Sequence, residues 1–210
     1  MAKTESTLKN MVLTLLVITC VAGASLGFMF ELTKGPIAAA KAAKQQAAIK
    51  EVVPGFDNNP GEEMYLLTSK EGLELKLFPA KKGGNLIGVA IESQTNKGFS
   101  GNIKIMIGLK PDGSIINYQV LEHKETPGLG TKMADWFKTN KGNQSIIGKH
   151  PKSNNLTVSK DGGEVDAITA ATISSRAFLD AVRVAYETYT ENQSNQDVAS
   201  NTSVEEGGKK

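Results

Sequence analysis

The sequence predicts an α+β protein in which a single transmembrane helix and a stalk helix precede a mainly antiparallel sheet covered by helices. Three observations predict this fold class. Residues 11–30 form an uncharged apolar run, five short alternating runs lie between residues 64 and 121, and an amphipathic helical pattern occupies residues 172–189. With 210 residues, the chain is long enough for one well-buried domain with appendages.

The apolar run Met11–Phe30 has the length of a transmembrane helix. Its 20 residues cover roughly 30 Å as an α-helix, which matches the hydrocarbon core of a bilayer. A cleaved signal peptide is the alternative, because Lys3 and Lys9 supply a basic start and Ala22-Gly23-Ala24 imitates a cleavage site. The run continues past that site to its end, which favours a retained anchor. The lysine counts on either side do not decide its orientation.

A stalk helix and five strands are predicted after the anchor. Pro36 suits a first helical turn and Pro54-Gly55 ends the alanine-rich stretch, so residues 31–55 are assigned to the stalk. A tight turn at Lys110-Pro111-Asp112-Gly113 makes a hairpin of the last two strands. The predicted strands are Met64–Thr68, Leu73–Phe78, Leu86–Glu92, Ile103–Leu109 and Ile115–Leu121.

The remainder of the predicted domain, residues 56–190, alternates loops with two helices. Thr131–Asn140 is predicted as a short helix and Leu156–Ser159 as a further strand. Thr172–Tyr189 is an amphipathic helix suited to covering the sheet. Residues 191–210 are polar and almost free of apolar side chains, which predicts a disordered tail.

Charge and residue content exclude several classes of function. The net charge is +2 and no basic stripe is interleaved with aromatic residues, so no nucleic-acid partner is expected. Cys20 is the only cysteine and lies in the apolar run, which excludes a zinc cluster or a disulfide in the soluble part. His123 and His150 are the only histidines, and no Gly-x-Ser-x-Gly nucleophile motif accompanies them. Neither a metal site nor a catalytic residue is predicted.

Two segments have compositions that could hold a ligand. Asp166-Ala-Ile-Thr-Ala-Ala-Thr172 enters the last helix, where free backbone N–H groups and the positive end of the dipole can bind a phosphate. Simple helix capping by Asp or Thr explains the same residues. The other segment begins at Gly98-Phe99-Ser100-Gly101 and continues at Glu125-Thr-Pro-Gly-Leu-Gly130, a rigid loop able to lie flat against a planar ring. A plain connection between a strand and a helix has that composition too.

Taken together, these motifs resemble those of the FMN-binding G subunits of the Rnf complex, the ion-translocating ferredoxin:NAD⁺ oxidoreductase. They are more distantly similar to the C subunits of the sodium-pumping NADH:quinone reductase. The resemblance extends from about Gly98 to Tyr186. Residues 11–55 share with these subunits the order of an anchor, a stalk helix and a Pro-Gly pair. It implies FMN joined to Thr172 by a phosphoester, which a flavin transferase makes from FAD. It further implies two sets of contacts with FMN. The residues that contact the phosphate would be Thr169, Ala170, Ala171 and Ile173. The residues that contact the flavin ring would be Glu125, Thr126, Gly128 and Leu129.

The resemblance also implies a role and a place in the cell. The chain would be a redox subunit of a translocase, inactive alone, among other integral membrane and redox subunits. It would cross the bacterial inner membrane once, with residues 1–10 in the cytoplasm and the FMN domain on the extracytoplasmic side. The alternative belongs to another class of protein, a membrane-tethered binding or assembly module whose flavin motif is vestigial.

Ala170 departs from the pattern of these subunits, which usually have glycine before the Ala-Thr pair. If the position needs a positive φ, alanine would be strained there and flavin transfer could be slow. At a negative φ, the extra methyl group is harmless. Because the rest of the motif is intact, a negative φ is expected.

Overall fold

The computed structural model describes the backbone of residues 7–205 and the side chains of residues 7–194. The chain divides into two compact units, Met1–Lys44 and Gln45–Lys210. Its main elements in chain order are α1 Leu8–Val52, β1 Tyr65–Thr68, β2 Glu74–Lys82, β3 Asn85–Gly98, β4 Gly101–Leu109, β5 Ile115–His123, α2 Met133–Trp136 and α3 Thr172–Glu205.

Helix α1 is one continuous element, whereas the sequence predicts an anchor and a separate stalk helix that begins at Pro36. In the structure Pro36 lies inside the helix. Pro36 removes one helical hydrogen bond and its ring crowds the carbonyl of Leu32, but the good helix formers that follow continue the helix. Within the N-terminal unit, the apolar side chains from Met11 to Phe30 are exposed, and the helix is long and apolar enough to cross a membrane.

The sheet is an antiparallel meander in the order β1-β2-β3-β4-β5. All five predicted strands are present, and β3 extends beyond its predicted end to Gly98. The hairpin predicted between β4 and β5 closes with a 2.9 Å hydrogen bond from the N–H of Gly113 to the carbonyl of Lys110. Gly113 has a φ of +90°, which glycine adopts without strain. The predicted α+β fold class is confirmed.

Both faces of the sheet are covered within the second unit. On one face Ile105 and Ile107 belong to a core that includes Phe178 and Val182 of α3. On the other face Met106 packs in a second core, whose helical members are the last residues of α1 and the residue that follows it: Ala48, Ile49, Val52 and Val53. The alternation of side chains along β4 therefore supplies both cores.

Two short elements differ from their predictions. The helix expected at Thr131–Asn140 is a 3₁₀ turn at Gly130–Lys132 followed by the single turn of α2. The strand expected at Leu156–Ser159 is reduced to one bridge between Val158 and Val165. Short apolar runs do not distinguish a strand from a packed loop, because both bury the same side chains.

Helix α3 does not end near Tyr189 as predicted but continues to Glu205. The prediction of a disordered tail is therefore corrected as far as that residue, and residues 206–210 lie outside the described part of the chain. The cause lies in helix cooperativity. No glycine or proline interrupts residues 191–205, and extending an existing helix needs no new nucleus.

Candidate functional site

A cavity of about 290 Å³ opens where three segments meet: the β3–β4 turn, the loop after β5 and the start of α3. These segments are the ones that carry the motifs singled out in the sequence. The residues that line the cavity are Phe99, Glu125, Thr126, Leu129, Gly130, Ala170, Ala171, Thr172, Ile173 and Ser174.

The chain enters α3 through a tight turn from Ile168 to Ala171. The N–H of Ala171 donates to the carbonyl of Ile168 at 2.9 Å. Ala170, the third residue of this turn, has a φ of +61°, and among residues 7–205 it is the only residue other than glycine with a positive φ. A turn with positive φ at its third position belongs to type II, which favours glycine there. The prediction of a negative φ at Ala170 is therefore wrong.

Helix α3 presents its free backbone donors at this turn. Its first main-chain bond runs from the N–H of Ser175 to the carbonyl of Ala171, at 3.0 Å. The N–H groups of Thr172, Ile173 and Ser174 consequently have no partner within the helix. Together with the positive end of the helix dipole, they provide a place where a phosphate is stabilised.

Four hydroxyl groups surround the start of α3, and two of them are already engaged. The Ser175 hydroxyl is buried, donates to the carbonyl of Ala171 at 3.0 Å and accepts from the N–H of Ile168 at 2.9 Å. The buried hydroxyl of Ser174 donates to Oε2 of Glu125. Within the described side chains, the hydroxyls of Thr169 and Thr172 make no hydrogen bond. Only Thr172 of these two lines the cavity.

Glu125 is buried beneath the cavity, with 4% of its surface exposed. Its Oε1 accepts a hydrogen bond of 2.9 Å from the N–H of Ser100, and its Oε2 accepts the bond from Ser174. Both oxygens are thus directed at protein groups. The carboxylate of Glu125, which also lines the cavity, is thus bonded to two of the three segments that form it.

The rim of the cavity is apolar. Phe99, Leu129 and Ile173 line it while exposing 66%, 39% and 47% of their surface. The motifs include the segment that contains Phe99, but this residue was not among those predicted for the site. The two glycines that bracket the Gly-Phe-Ser-Gly turn were the available signal, because they allow a tight reversal that projects the ring.

The nine residues predicted for the site fall into two groups. Seven of them line the cavity: Glu125, Thr126, Leu129, Ala170, Ala171, Thr172 and Ile173. Thr169 and Gly128 do not. Gly128 has a φ of +73° and donates its N–H to Oγ1 of Thr131 at 3.0 Å, so it shapes the loop.

Asp166, the first residue of the motif, serves the surrounding structure. Its Oδ2 accepts the N–H of Asn143 at 2.9 Å, and its carbonyl accepts the indole N–H of Trp136 at 2.8 Å. These bonds fasten the loop before α3 to α2 and to the segment that follows it. The described residues hold no group of His, Cys, Asp and Glu able to bind a metal ion.

Comparisons with known proteins agree with this geometry. Residues 98–187 match a family described as the FMN-binding domain, and this range holds every lining residue of the cavity. The chain is 33% identical over 198 residues to the G subunit of the ion-translocating oxidoreductase complex of Aliivibrio fischeri, a match that covers 89% of this chain and 93% of that relative.

G subunits of the same complex from other bacteria give similar values. The protein of Haemophilus influenzae is 37% identical over 162 residues, which cover 74% of this chain and 77% of the relative. That of Photorhabdus laumondii is 34% identical over 161 residues, covering 72% and 76%. These matches confirm the resemblance drawn from the motifs. The chain belongs to the family of ion-translocating oxidoreductase complex G subunits, and its folded unit contains an FMN-binding domain.

Proposed function

We propose that the chain is the electron-transfer subunit of an Rnf-type ion-translocating oxidoreductase working between ferredoxin and NAD⁺, and that it carries FMN joined by a phosphoester to Thr172. The observation that carries this proposal is the state of the four hydroxyls at the start of α3. Thr172 alone combines a free hydroxyl, a position in the cavity wall and adjacent unpaired N–H groups.

The two ends of the cavity suit the two ends of FMN. The N–H groups at the start of α3 bind the phosphate, and the apolar rim of Phe99, Leu129 and Ile173 borders the flavin ring. When bound, FMN supplies the one- and two-electron chemistry, and the protein supplies attachment, orientation and electrostatics. The remaining contacts are assigned as the resemblance implies. Thr169, Ala170, Ala171 and the backbone of Ile173 lie at the phosphate, and Glu125, Thr126, Gly128 and Leu129 lie near the ring.

Attachment requires a flavin transferase and FAD. The Oγ1 of Thr172 forms a bond to the flavin-side phosphorus, while the bond from that phosphorus to the bridging pyrophosphate oxygen breaks. AMP leaves, and the hydroxyl proton passes to the base of the transferase. Thr172 is consumed as an attachment point and takes no part in turnover.

The proposal is tested by expressing the full chain with a flavin transferase and looking for fluorescence on a denaturing gel. We expect a fluorescent band for the wild type and for Thr169→Ala, and none for Thr172→Ala. Truncating a threonine at a helix end costs about 1 kcal/mol, so the Thr172→Ala protein remains folded. Peptide mass spectrometry of the wild type should find the added FMN on Thr172.

One observation favours the vestigial alternative, namely the positive φ of Ala170. Strain at this turn would disfavour the geometry in which a transferase engages Thr172. The test is to express the wild-type chain with a transferase that labels a related subunit. If the wild-type chain then carries no flavin, the redox function is refuted and the assembly-module function replaces it.

The proposed location in the cell rests on α1. Met11–Phe30 spans the inner membrane once, with the FMN domain outside the cytoplasm and in contact with the other subunits of the complex. The exposed apolar surface of this segment supports a membrane environment. Protease added to intact spheroplasts should digest the domain, and complete protection of the domain would reverse the orientation.

A further inference from the structure

Glu125 is the only residue that hydrogen-bonds both the β3–β4 turn and the first turn of α3 among the residues lining the cavity. Its Oε1 accepts from the N–H of Ser100, next to the rim residue Phe99. Its Oε2 accepts from Ser174, two residues after Thr172. Glu125 itself belongs to the third segment of the cavity wall, so a single side chain joins all three.

Two glycines leave just enough space for this carboxylate. A Cβ added at Gly98 would lie 2.8 Å from Oε1 of Glu125. A Cβ added at Gly130 would lie 2.8 Å from Oε2 and 2.7 Å from the Ser174 hydroxyl oxygen. Real Cβ atoms do not approach other atoms so closely, so the backbone at both positions encloses the carboxylate and restricts its movement.

The burial of this side chain has a cost that its two hydrogen bonds offset. A carboxyl group taken out of water is strongly destabilising unless its oxygens accept good hydrogen bonds. Both oxygens of Glu125 accept one, from a backbone N–H and from a hydroxyl, and such charge-assisted bonds are stronger than neutral ones. An apolar residue could fill the same space but could not hold the two segments in register.

We propose that Glu125 is a positioning residue, whose carboxylate fixes the first turn of α3 against the β3–β4 turn and thereby sets how the Thr172 hydroxyl is presented to the incoming flavin phosphate. This inference rests on the proposed function, because it concerns the same site. It does not require a contact between Glu125 and the flavin ring. Its effect is exerted through Ser174 on Thr172 and through Ser100 on Phe99.

Three substitutions separate positioning from the other roles. Glu125→Gln keeps the shape, and its amide can accept from the N–H of Ser100 while donating to the Ser174 oxygen. Glu125→Ala removes both bonds. Ser174→Ala removes one of them and leaves the helix intact, since alanine has the highest helix propensity. Glu122→Ala, at an exposed position on β5, is the matched control.

The experiment measures the rate of flavin attachment to the full-length membrane protein by gel fluorescence, together with the visible circular dichroism of the attached flavin. We expect Glu122→Ala to match the wild type, and Glu125→Gln to keep most of the wild-type rate, because it keeps both bonds in a weaker, neutral form. Glu125→Ala should be slower on the order of tenfold, because displacement of reacting groups by an ångström has effects of that size or larger. Ser174→Ala should lie between, and both slow variants should show an altered flavin dichroism band.

The outcomes distinguish this inference from the proposed function. If the wild type is never labelled, the proposed function fails. If the wild type is labelled and Glu125→Ala is labelled equally fast with the same dichroism band, the inference alone is overturned. A Glu125→Gln protein as slow as Glu125→Ala also overturns it, because the charge rather than the placement would then matter. If Glu125→Ala does not fold, Ser174→Ala tests the inference in its place. Slower labelling of Ser174→Ala supports the inference, and an unchanged labelling rate overturns it.

Discussion

At Ala170 the backbone has a φ of +61°, a region that costs a residue with a Cβ about 1–2 kcal/mol. Replacing Ala170 by glycine removes this strain but gives the unfolded chain more freedom to lose on folding. We expect Ala170→Gly to raise the free energy of unfolding by about 1 kcal/mol or less, and to attach flavin at least as fast as the wild type. Chemical denaturation and gel fluorescence measure the two effects.

The neighbouring Ala171 provides the matched control. It is buried, with 8% of its surface exposed, and it has no positive φ. Ala171→Gly should therefore lower the free energy of unfolding by about 1–2 kcal/mol, because it adds backbone entropy to the unfolded chain and removes a buried methyl group. If Ala170→Gly and Ala171→Gly changed the free energy of unfolding equally, the backbone at Ala170 would not be strained in solution.

Residue types and their order predicted most of the site, but they did not predict its internal connections. The motif around Thr172 indicated a phosphate at the start of a helix, and the hydroxyl is found there. The φ of Ala170 depends on how the turn from Ile168 closes, which composition does not specify. The bond from Ser174 to Glu125 joins residues 49 apart in sequence, and no local pattern indicates such a pair.

Helix α3 is tied to β3 by Asp180. Its carboxylate accepts hydrogen bonds from Oγ1 of Thr95 at 2.9 Å, from Lys97 at 3.0 Å and from Arg183 at 2.6 Å. Burial by itself raises the pKa of Asp180, but the hydrogen bonds from Arg183, Lys97 and Thr95 outweigh it and hold the pKa below its ordinary value of 3.8.

A lowered pKa in the folded protein gives this contact a defined pH dependence. The stabilisation is present above the pKa of the unfolded chain and is lost as the pH falls through the folded value. We expect Asp180→Asn to lower the free energy of unfolding by about 1–2 kcal/mol at pH 7. The difference in this free energy between the variant and the wild type should shrink below about pH 4. Denaturation of both proteins from pH 7 to pH 3 tests this. A constant difference would mean that Asp180 acts through packing alone.

The strands were predictable because one buried face imposes a period of two on each of them. In β4, for example, Ile103, Ile105 and Ile107 alternate with residues of the other face. The ends of helices were less predictable. Pro36 suits a helix start, yet a helix can also continue through it, and α3 continues to Glu205 because nothing in residues 191–205 terminates it.

At the scale of the molecule, the end of α1 belongs to the folded unit. The sequence predicts residues 31–55 as a stalk separate from the domain, whereas Ile49 and Val52 are 3% and 0% exposed in the second core. Gly108 shows how closely β4 approaches this helix, since an added Cβ would lie 2.1 Å from the carbonyl oxygen of Val52. An alanine-rich helix gives no local sign of the face it buries, because its partners in the sheet, such as Phe78 and Met106, lie 25 or more residues further along the chain.

This arrangement predicts two different outcomes for two truncations. A chain of residues 45–210 keeps both cores, so we expect it to be soluble, to unfold cooperatively and to accept flavin from the transferase. A chain of residues 54–210 loses Ala48 and the three larger buried aliphatic side chains of the second core, at Ile49, Val52 and Val53. Each of the three larger side chains contributes about 1.5–3 kcal/mol when fully buried. Their sum approaches the whole stability of an ordinary domain, about 5–15 kcal/mol.

Thermal unfolding followed by circular dichroism, with gel filtration of the same samples, compares the two chains. The shorter chain should lack a cooperative transition or aggregate, because the face of the sheet that carries Phe78, Ala90 and Met106 is uncovered. Equal stability of the two chains would show that α1 ends outside the folded unit. An unfolded 45–210 chain would show that the domain needs the first 44 residues, and the membrane helix would then have a structural role beyond anchoring.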